Sequence, residues 1–297
     1  MSWCLDFITE EELQEHVQAT IKQYGKKLQS FDLKEFNSNL VDPIKLLFDK
    51  SVYKVSWEEI IKSEIIRQRD KSNTNDIGYF HQKIFAFFKH CELPDKGWDV
   101  IYKNPNGVIL PDGDKVQTIY VEMKNKHNTM NSASASKTYI KMQNQLLQDD
   151  DCACFLVEAI ASKSQNIKWM TTVDGSKVNH KRIRRVSMDQ FYGLITGDNS
   201  AFYKLCMILP ETIENIVNQE KDVLIPKDTV ISELEQVSSL FEGRSGDLAL
   251  AMAVYMLGFS TYDGFRNSIK LSTEHEMSLK RIYEYGKANA QLTGITE

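Results

Sequence analysis

The spacing of apolar positions changes along the chain, from a helical period to a period of two and back. Over the first ninety residues the apolar side chains recur at helical spacing. Thr9-Glu10-Glu11-Glu12 has the form of a capped helix start and leads into a stripe of Leu13, Val17 and Ile21. Asp42-Pro43 opens a short apolar helix over 44–48, because proline is tolerated at the first helical position. Ser56-Trp57-Glu58-Glu59 opens another, which carries Ile60, Ile61, Ile65 and Ile66. A polar break at 71–75 precedes a fourth helical segment over 77–91, with Phe80, Ile84, Phe87 and Phe88 on one side.

The period then becomes two. Residues 99–102 and 108–110 are short strand-like runs, Pro111-Asp112-Gly113-Asp114 is a turn signal, and 116–124 alternates between apolar and polar positions. A helical pattern returns over 134–147, strand patterns over 154–161 and 167–172, and helices over 188–194 and 201–217. The strand, helix, strand order around 116–161 predicts a mixed sheet with a crossover helix, hence an α/β core. From Pro226 onward only helices are predicted, over 230–241, 246–257, 262–269 and 274–288. The expected organisation is a main domain over 1–210, with N-terminal helices in 1–92 and the sheet core in 93–190, followed by a helical subdomain over 211–297.

Composition narrows the function classes. The chain has 297 residues, 42% hydrophobic and 26% charged, which suits a folded protein with a sizeable core. It has no basic leader and no apolar run long enough to span a bilayer, so a cytoplasmic protein with no membrane partner is expected. Five cysteines without a Cys-x-x-Cys pair favour neither a zinc site nor a disulfide framework, and Cys152-Ala-Cys154 has the character of a buried strand segment. The net charge of -5 counts against a nucleic-acid partner unless the cations are gathered in one place.

The chemistry centres on Glu122-Met123-Lys124. Side chains alternate along a strand, so Glu122 and Lys124 share a face about 7 Å apart. Gln117, Ile119, Val121 and Met123 are expected in the core-facing row. A carboxylate and an ammonium so placed suit phosphodiester hydrolysis: Mg²⁺ binds carboxylate and phosphate oxygens, and the lysine orients water and offsets developing charge. A second carboxylate is needed. If 111–114 is a four-residue turn, the hairpin register sets Asp99 opposite Lys126, on the face of Glu122 and Lys124. Asp112 is the alternative, but it lies at the turn, about 20 Å from Glu122 along the strand. The run Lys124-Asn125-Lys126-His127-Asn128 is rich in donors for phosphates and base edges, against the plainer reading of a solvated loop. Within Lys177–Arg185, the residues Lys181, Arg182, Arg184 and Arg185 are further nucleic-acid candidates. A strand edge blunted by positive charge is the alternative there.

At these residues the chain resembles the PD-(D/E)XK nuclease superfamily and, more narrowly, type II restriction endonucleases that cut at GGNCC. The resemblance covers roughly 48–210 and rests on Asn75-Asp76-Ile77-Gly78-Tyr79-Phe80-His81-Gln82, Val121-Glu122-Met123-Lys124-Asn125-Lys126-His127-Asn128-Thr129 and Ser187-Met188-Asp189-Gln190-Phe191-Tyr192-Gly193-Leu194-Ile195-Thr196-Gly197-Asp198. It implies a restriction-endonuclease-like core acting on double-stranded DNA as a homodimer. It also implies Mg²⁺ held by Asp99 and Glu122, with Lys124 completing the catalytic set. A cognate DNA methyltransferase would act on the same site without having to bind this chain. Trp98 stands where the usual motif has proline. Glu64 and Gln82 are candidates for an additional helical catalytic residue, against plain helix-surface roles. The competing functions are a repair or recombination nuclease on the same core and a non-catalytic DNA-binding module.

Overall fold

The computed structural model describes residues 3–27, 30–127, 130–219, 227–239, 241 and 246–259. Its elements follow in the order α1 (Glu10–Lys27), α2 (Leu33–Ser38), α3 (Pro43–Tyr53), α4 (Trp57–Lys83), a 3-10 turn (Ile84–Phe87), β1 (Cys91–Glu92), β2 (Val100–Ile109), β3 (Lys115–Lys126), α5 (Ser132–Gln148), β4 (Cys152–Ile160), β5 (Asn166–Lys168), β6 (Thr171–Val173), β7 (Ser176–Val178), β8 (Ile183–Ser187), α6 (Met188–Thr196), α7 (Ala201–Gln219), α8 (Val230–Ser238) and α9 (Gly246–Phe259). The helices expected over 262–269 and 274–288 lie outside the described residues. No described helix is long and apolar enough to cross a membrane.

Local sequence sets the helix starts. Thr9 and Glu12 exchange reciprocal hydrogen bonds, Thr9 N to Glu12 Oε2 at 2.8 Å and Glu12 N to Thr9 Oγ1 at 3.2 Å, and Ser56 and Glu59 repeat the box at 2.8 and 3.2 Å. The break expected at 71–75 is absent, because α4 runs unbroken from Trp57 to Lys83. Those polar residues contain no proline, and each costs a helix only a few tenths of a kcal/mol.

Six strands form one mixed sheet in the order β1-β2-β3-β4-β8-β5, while β6 and β7 form a separate hairpin. The single strand expected over 167–172 is thus divided between two sheets. Strands β3, β4 and β8 are parallel to one another, and α5 is the crossover from β3 to β4. One face packs Ile119, Val121, Met123, Phe155 and Val157 against Leu13, Ile84, Phe85, Phe191 and Tyr192. The other packs Cys154, Leu156 and Ile183 against Tyr139 and Met142 of α5. The sheet is therefore a central layer covered by helices on both sides, an α/β arrangement. Both Cys152 and Cys154 are buried in it.

The alternation in β3 slips once. Val116 is buried and Gln117 exposed, after which Ile119, Val121 and Met123 face the core. The slip occurs where the N–H groups of Gln117 and Thr118 both donate to Asp151 O, at 3.0 and 3.2 Å. Gln117 is thus not core-facing.

The chain divides into two compact units, one of Met1–Tyr24 and Thr74–Asp222, the other of Gly25–Asn73 and Val223–Glu297. The first contains the whole sheet. The second has its own apolar core, with Phe36, Leu46, Trp57 and Ile61 packed with Val230, Leu234, Val254 and Leu257. Residues 25–73 therefore group with the C-terminal helices.

Candidate active site

The second half of β3 holds Glu122 and Lys124 on the face covered by α5. Lys124 Nζ donates to Glu122 Oε1 at 2.8 Å. The other oxygen, Oε2, accepts from Lys141 Nζ of α5 at 2.7 Å. Lys141 is held in turn by a bond to Gly97 O and by the Trp98 ring, whose centroid lies 4.0 Å from Nζ. Trp98 packs on Tyr120 and donates its indole N–H to Gln145 Oε1 at 3.2 Å, so the residue standing at the proline position forms the seat for a second lysine. Burial pushes the Glu122 carboxyl up, but the hydrogen bonds and charges of Lys124 and Lys141 outweigh it and hold it below the usual carboxylate range.

Asp99 precedes β2 by one residue. Its N–H donates to Val121 O at 3.0 Å and its Oδ2 accepts from Met123 N at 2.7 Å. Carrying the Val100↔Val121 pairing one step back sets Asp99 across from Glu122, four residues from the expected Lys126. Two irregularities account for the difference. Ile109, not Leu110, pairs with Lys115, a shift of one. Between the pairs Lys103↔Thr118 and Val108↔Val116, β2 advances five residues while β3 advances two, a shift of three. Gly107, at φ +75°, lies in this bulge. The two odd shifts sum to an even one, so the face expected for Asp99 is kept although its partner changes. Burial and the nearby Glu122 carboxylate raise the Asp99 pKa, against lowering by the Met123 N–H and by Lys124 and Lys141.

Asp99 and Glu122, the latter already binding two ammonium groups, are a donor set suited to a hard divalent cation, which takes one or two carboxylates and completes its shell with water and phosphate oxygens. Among the described residues no group of three or more His, Cys, Asp or Glu is spaced to hold a metal. Asp112 lies elsewhere, at 3.0 Å from Arg184 and 3.6 Å from Lys168.

Beyond Lys124 the same face carries a partly buried cluster around Glu158. Glu158 is 1% exposed and binds the Arg185 guanidinium, with Nε at 2.9 Å from Oε1. Glu158 Oε2 is 3.1 Å from His127 Nδ1, and Arg185 Nη2 donates to His127 O at 2.9 Å. This cluster anchors the end of β3, where Asn125 and Lys126 sit. Asn128 lies outside the described residues. Gln82 lines a cleft of about 420 Å³ together with Asn75, Gly78, His81, Lys124 and Asn125, so the first motif of the resemblance meets the second. Burial and the neighbouring His16 push the His81 pKa down to about 4, which keeps it neutral. Glu64 belongs to the other compact unit, where it is buried and bonded to Arg67 at 2.7 Å and Gln68 at 3.2 Å.

The basic run near 177–185 is dispersed in space. Lys181 and Arg182 pair with Asp114 at 2.8 and 3.2 Å. Arg184 is 2% exposed, and its guanidinium donates to Asn166 Oδ1 at 2.6 Å, Asn166 O at 2.7 Å, Asp112 at 3.0 Å and Lys181 O at 3.1 Å. Phe191, Tyr192 and Trp169 are all buried and pack within the protein.

The sequence reading missed Lys141 and Glu158. Glu158 had a local signal, as a lone carboxylate inside the apolar strand expected over 154–161. Lys141 had one too: α5 carries two lysines and no acid in an acidic chain.

Two comparisons bear on this site. Residues 5–218 match the family model of the Eco47II restriction endonuclease. The type II restriction enzyme Sau96I of Staphylococcus aureus is 28% identical over 226 residues, covering 73% of this chain and 82% of the relative. The type II restriction enzyme Eco47II of Escherichia coli is 30% identical over 226 residues, covering 72% of this chain and 89% of the relative.

Proposed function

The chain belongs to the Eco47II restriction endonuclease family, and from that premise we propose that it makes Mg²⁺-dependent double-strand cuts in DNA at GGNCC or a related short palindrome. The observation that carries the chemistry is the Glu122 carboxylate on one sheet face, with Lys124 bonded to it at 2.8 Å and Asp99 across the ladder. The GGNCC target rests on the resemblance of the three motifs.

In this reading Asp99 and Glu122 hold the cation, which supplies charge to polarise the phosphate and its attacking water. Lys124 orients that water and offsets the charge that develops as the water oxygen bonds to phosphorus and the P–O3′ bond breaks. The Met123 N–H fixes Asp99 at 2.7 Å, and before a cation binds Lys141 holds Glu122 at 2.7 Å. Gln82 borders the cleft on the Lys124 side and serves as the additional polar residue from the helix. Asn125 and Lys126 at the end of the catalytic strand contact the duplex, together with His127 and Asn128, which come next in the sequence. Cutting both strands of a palindrome calls for two copies of the site, hence a homodimer working in the cytoplasm beside a methyltransferase of the same specificity.

The test is digestion of plasmid with Mg²⁺ and sequencing of the ends. Discrete ends at one palindrome are expected, with linear product. Random ends, or preference for branched or nicked substrates, would instead make the chain a repair-type nuclease on this core.

A further inference from the structure

Helix α5 presents Ser134, Lys137, Thr138 and Lys141 at i, i+3, i+4 and i+7, a spacing that sets four side chains on one stripe. These four form one wall of a cleft of about 530 Å³ whose other wall holds Glu122 and Lys124. Lys137 is exposed and makes no ion pair among the described residues, and α5 has no Asp or Glu along its 17 residues. Lysines and hydroxyls facing a nuclease carboxylate are the donors that grip phosphate oxygens. The stripe is about 10 Å long at 1.5 Å per residue, the axial rise of about three nucleotides of one strand.

We propose that this α5 stripe is a phosphate-binding wall for the DNA strand being cut, with Lys137, Ser134 and Thr138 holding backbone phosphates and Lys141 a positioning residue. Lys141 occupies Glu122 Oε2 in the free protein and moves to a phosphate oxygen when Glu122 takes a divalent cation. Lys141 thereby competes with the cation for Glu122 until DNA arrives. The inference rests on the reading of Glu122 and Lys124 as a nuclease site.

The experiment compares the full chain with Lys137→Ala, Lys141→Ala, Lys141→Gln and, as a control for charge alone, Lys22→Ala on α1. Duplex binding is titrated with Ca²⁺ at several salt concentrations, and Ca²⁺ binding without DNA is followed by calorimetry. Each α5 lysine removed should lower the salt slope of log K by about 1, whereas Lys22→Ala leaves it unchanged. Lys141→Ala and Lys141→Gln should also bind Ca²⁺ several-fold more tightly in the absence of DNA, which a merely structural lysine would not cause. A folding defect in one Lys141 variant leaves the other and Lys137→Ala to decide. Unchanged slopes in the α5 variants, or an equal drop in Lys22→Ala, overturn the wall even if the wild type cuts DNA. Wild type that binds duplex with these slopes but never cuts it would overturn the nuclease reading while the wall stands.

Discussion

Strands β3, β4 and β8 run parallel, and their two ends treat cations in opposite ways. At the starting end Lys181, Arg182 and Arg184 meet Asp112 and Asp114, and the guanidinium of Arg184 is spent inside the protein on Asn166, Asp112 and the Lys181 carbonyl. Toward the finishing end Lys124 and Lys141 converge on one carboxylate, and Lys137 stands unpaired among the described residues. The densest basic run in the sequence therefore ties the sheet together, while lysines scattered over the stretch 124–141 gather at the open cleft. Ligands of open α/β sheets bind outside the carboxyl ends of the strands, and the charge follows that rule. Charge density along a chain and charge density in space are different quantities.

The largest effect is expected at Lys124. Lys124→Ala should slow plasmid cleavage by about 10²- to 10⁴-fold while duplex binding in Ca²⁺ stays within a few-fold of wild type. Gel-based cleavage rates and filter binding check both halves. If the variant cut like its parent, the chemistry assigned to the finishing end would be wrong.

Arg184→Ala tests the starting end. It strips Asp112 and Asn166 of a buried partner, and breaking such a pair costs about 3–5 kcal/mol, here near the lower value because Asp112 is 28% exposed. Urea unfolding should show the loss, and the salt slope of duplex binding should not move. A slope reduced by about 1 would place Arg184 on DNA and erase the contrast.

Glu158→Ala probes the join between the two ends. It leaves the Arg185 guanidinium without its carboxylate, at a cost of roughly 2–3 kcal/mol, reduced from the fully buried range because Arg185 is 23% exposed. Denaturant midpoints measure it, and Glu158→Gln should recover part of the loss by still accepting hydrogen bonds.

A smaller and opposite effect is expected at Asp99. Its folded pKa is raised by burial and by Glu122, so at neutral pH its ionisation opposes folding, and that penalty is absent below the unfolded pKa of 3.8. Asp99→Asn should raise Tm at pH 7 without divalent ions, show no gain in strong acid, and cut no DNA. Glu122 has the reverse sign. Its depressed pKa contributes stability above 4.5 that is lost as pH falls through the folded value, so Glu122→Gln should flatten the acid limb of a Tm-versus-pH profile. A Tm for Asp99→Asn below wild type at pH 7 would contradict the assigned shift. The smallest effect is Lys181→Ala, an exposed partner of Asp114, whose loss should leave Tm and salt slope unchanged within error.

Local rules written in the sequence determined much of this protein. Capping boxes at Thr9 and Ser56, the turn at 111–114 and the alternation over 119–124 depend on neighbours within a few residues, so helix starts, the hairpin and the shared face of Glu122 and Lys124 were all legible. The parity of Asp99 was legible too, although its partner was not. A bulge holding three extra residues of β2, together with a one-residue change at the turn, moved it from Lys126 to Glu122, and no local signal counts residues in a bulge. Tertiary structure alone decided that residues 25–73 join the C-terminal helices, that Arg184 is spent internally, and that Lys141 reaches Glu122 across the gap between a helix and the sheet. Those choices depend on which elements pack together, and packing acts between residues far apart in sequence, where the spacing of polar and apolar positions carries no information.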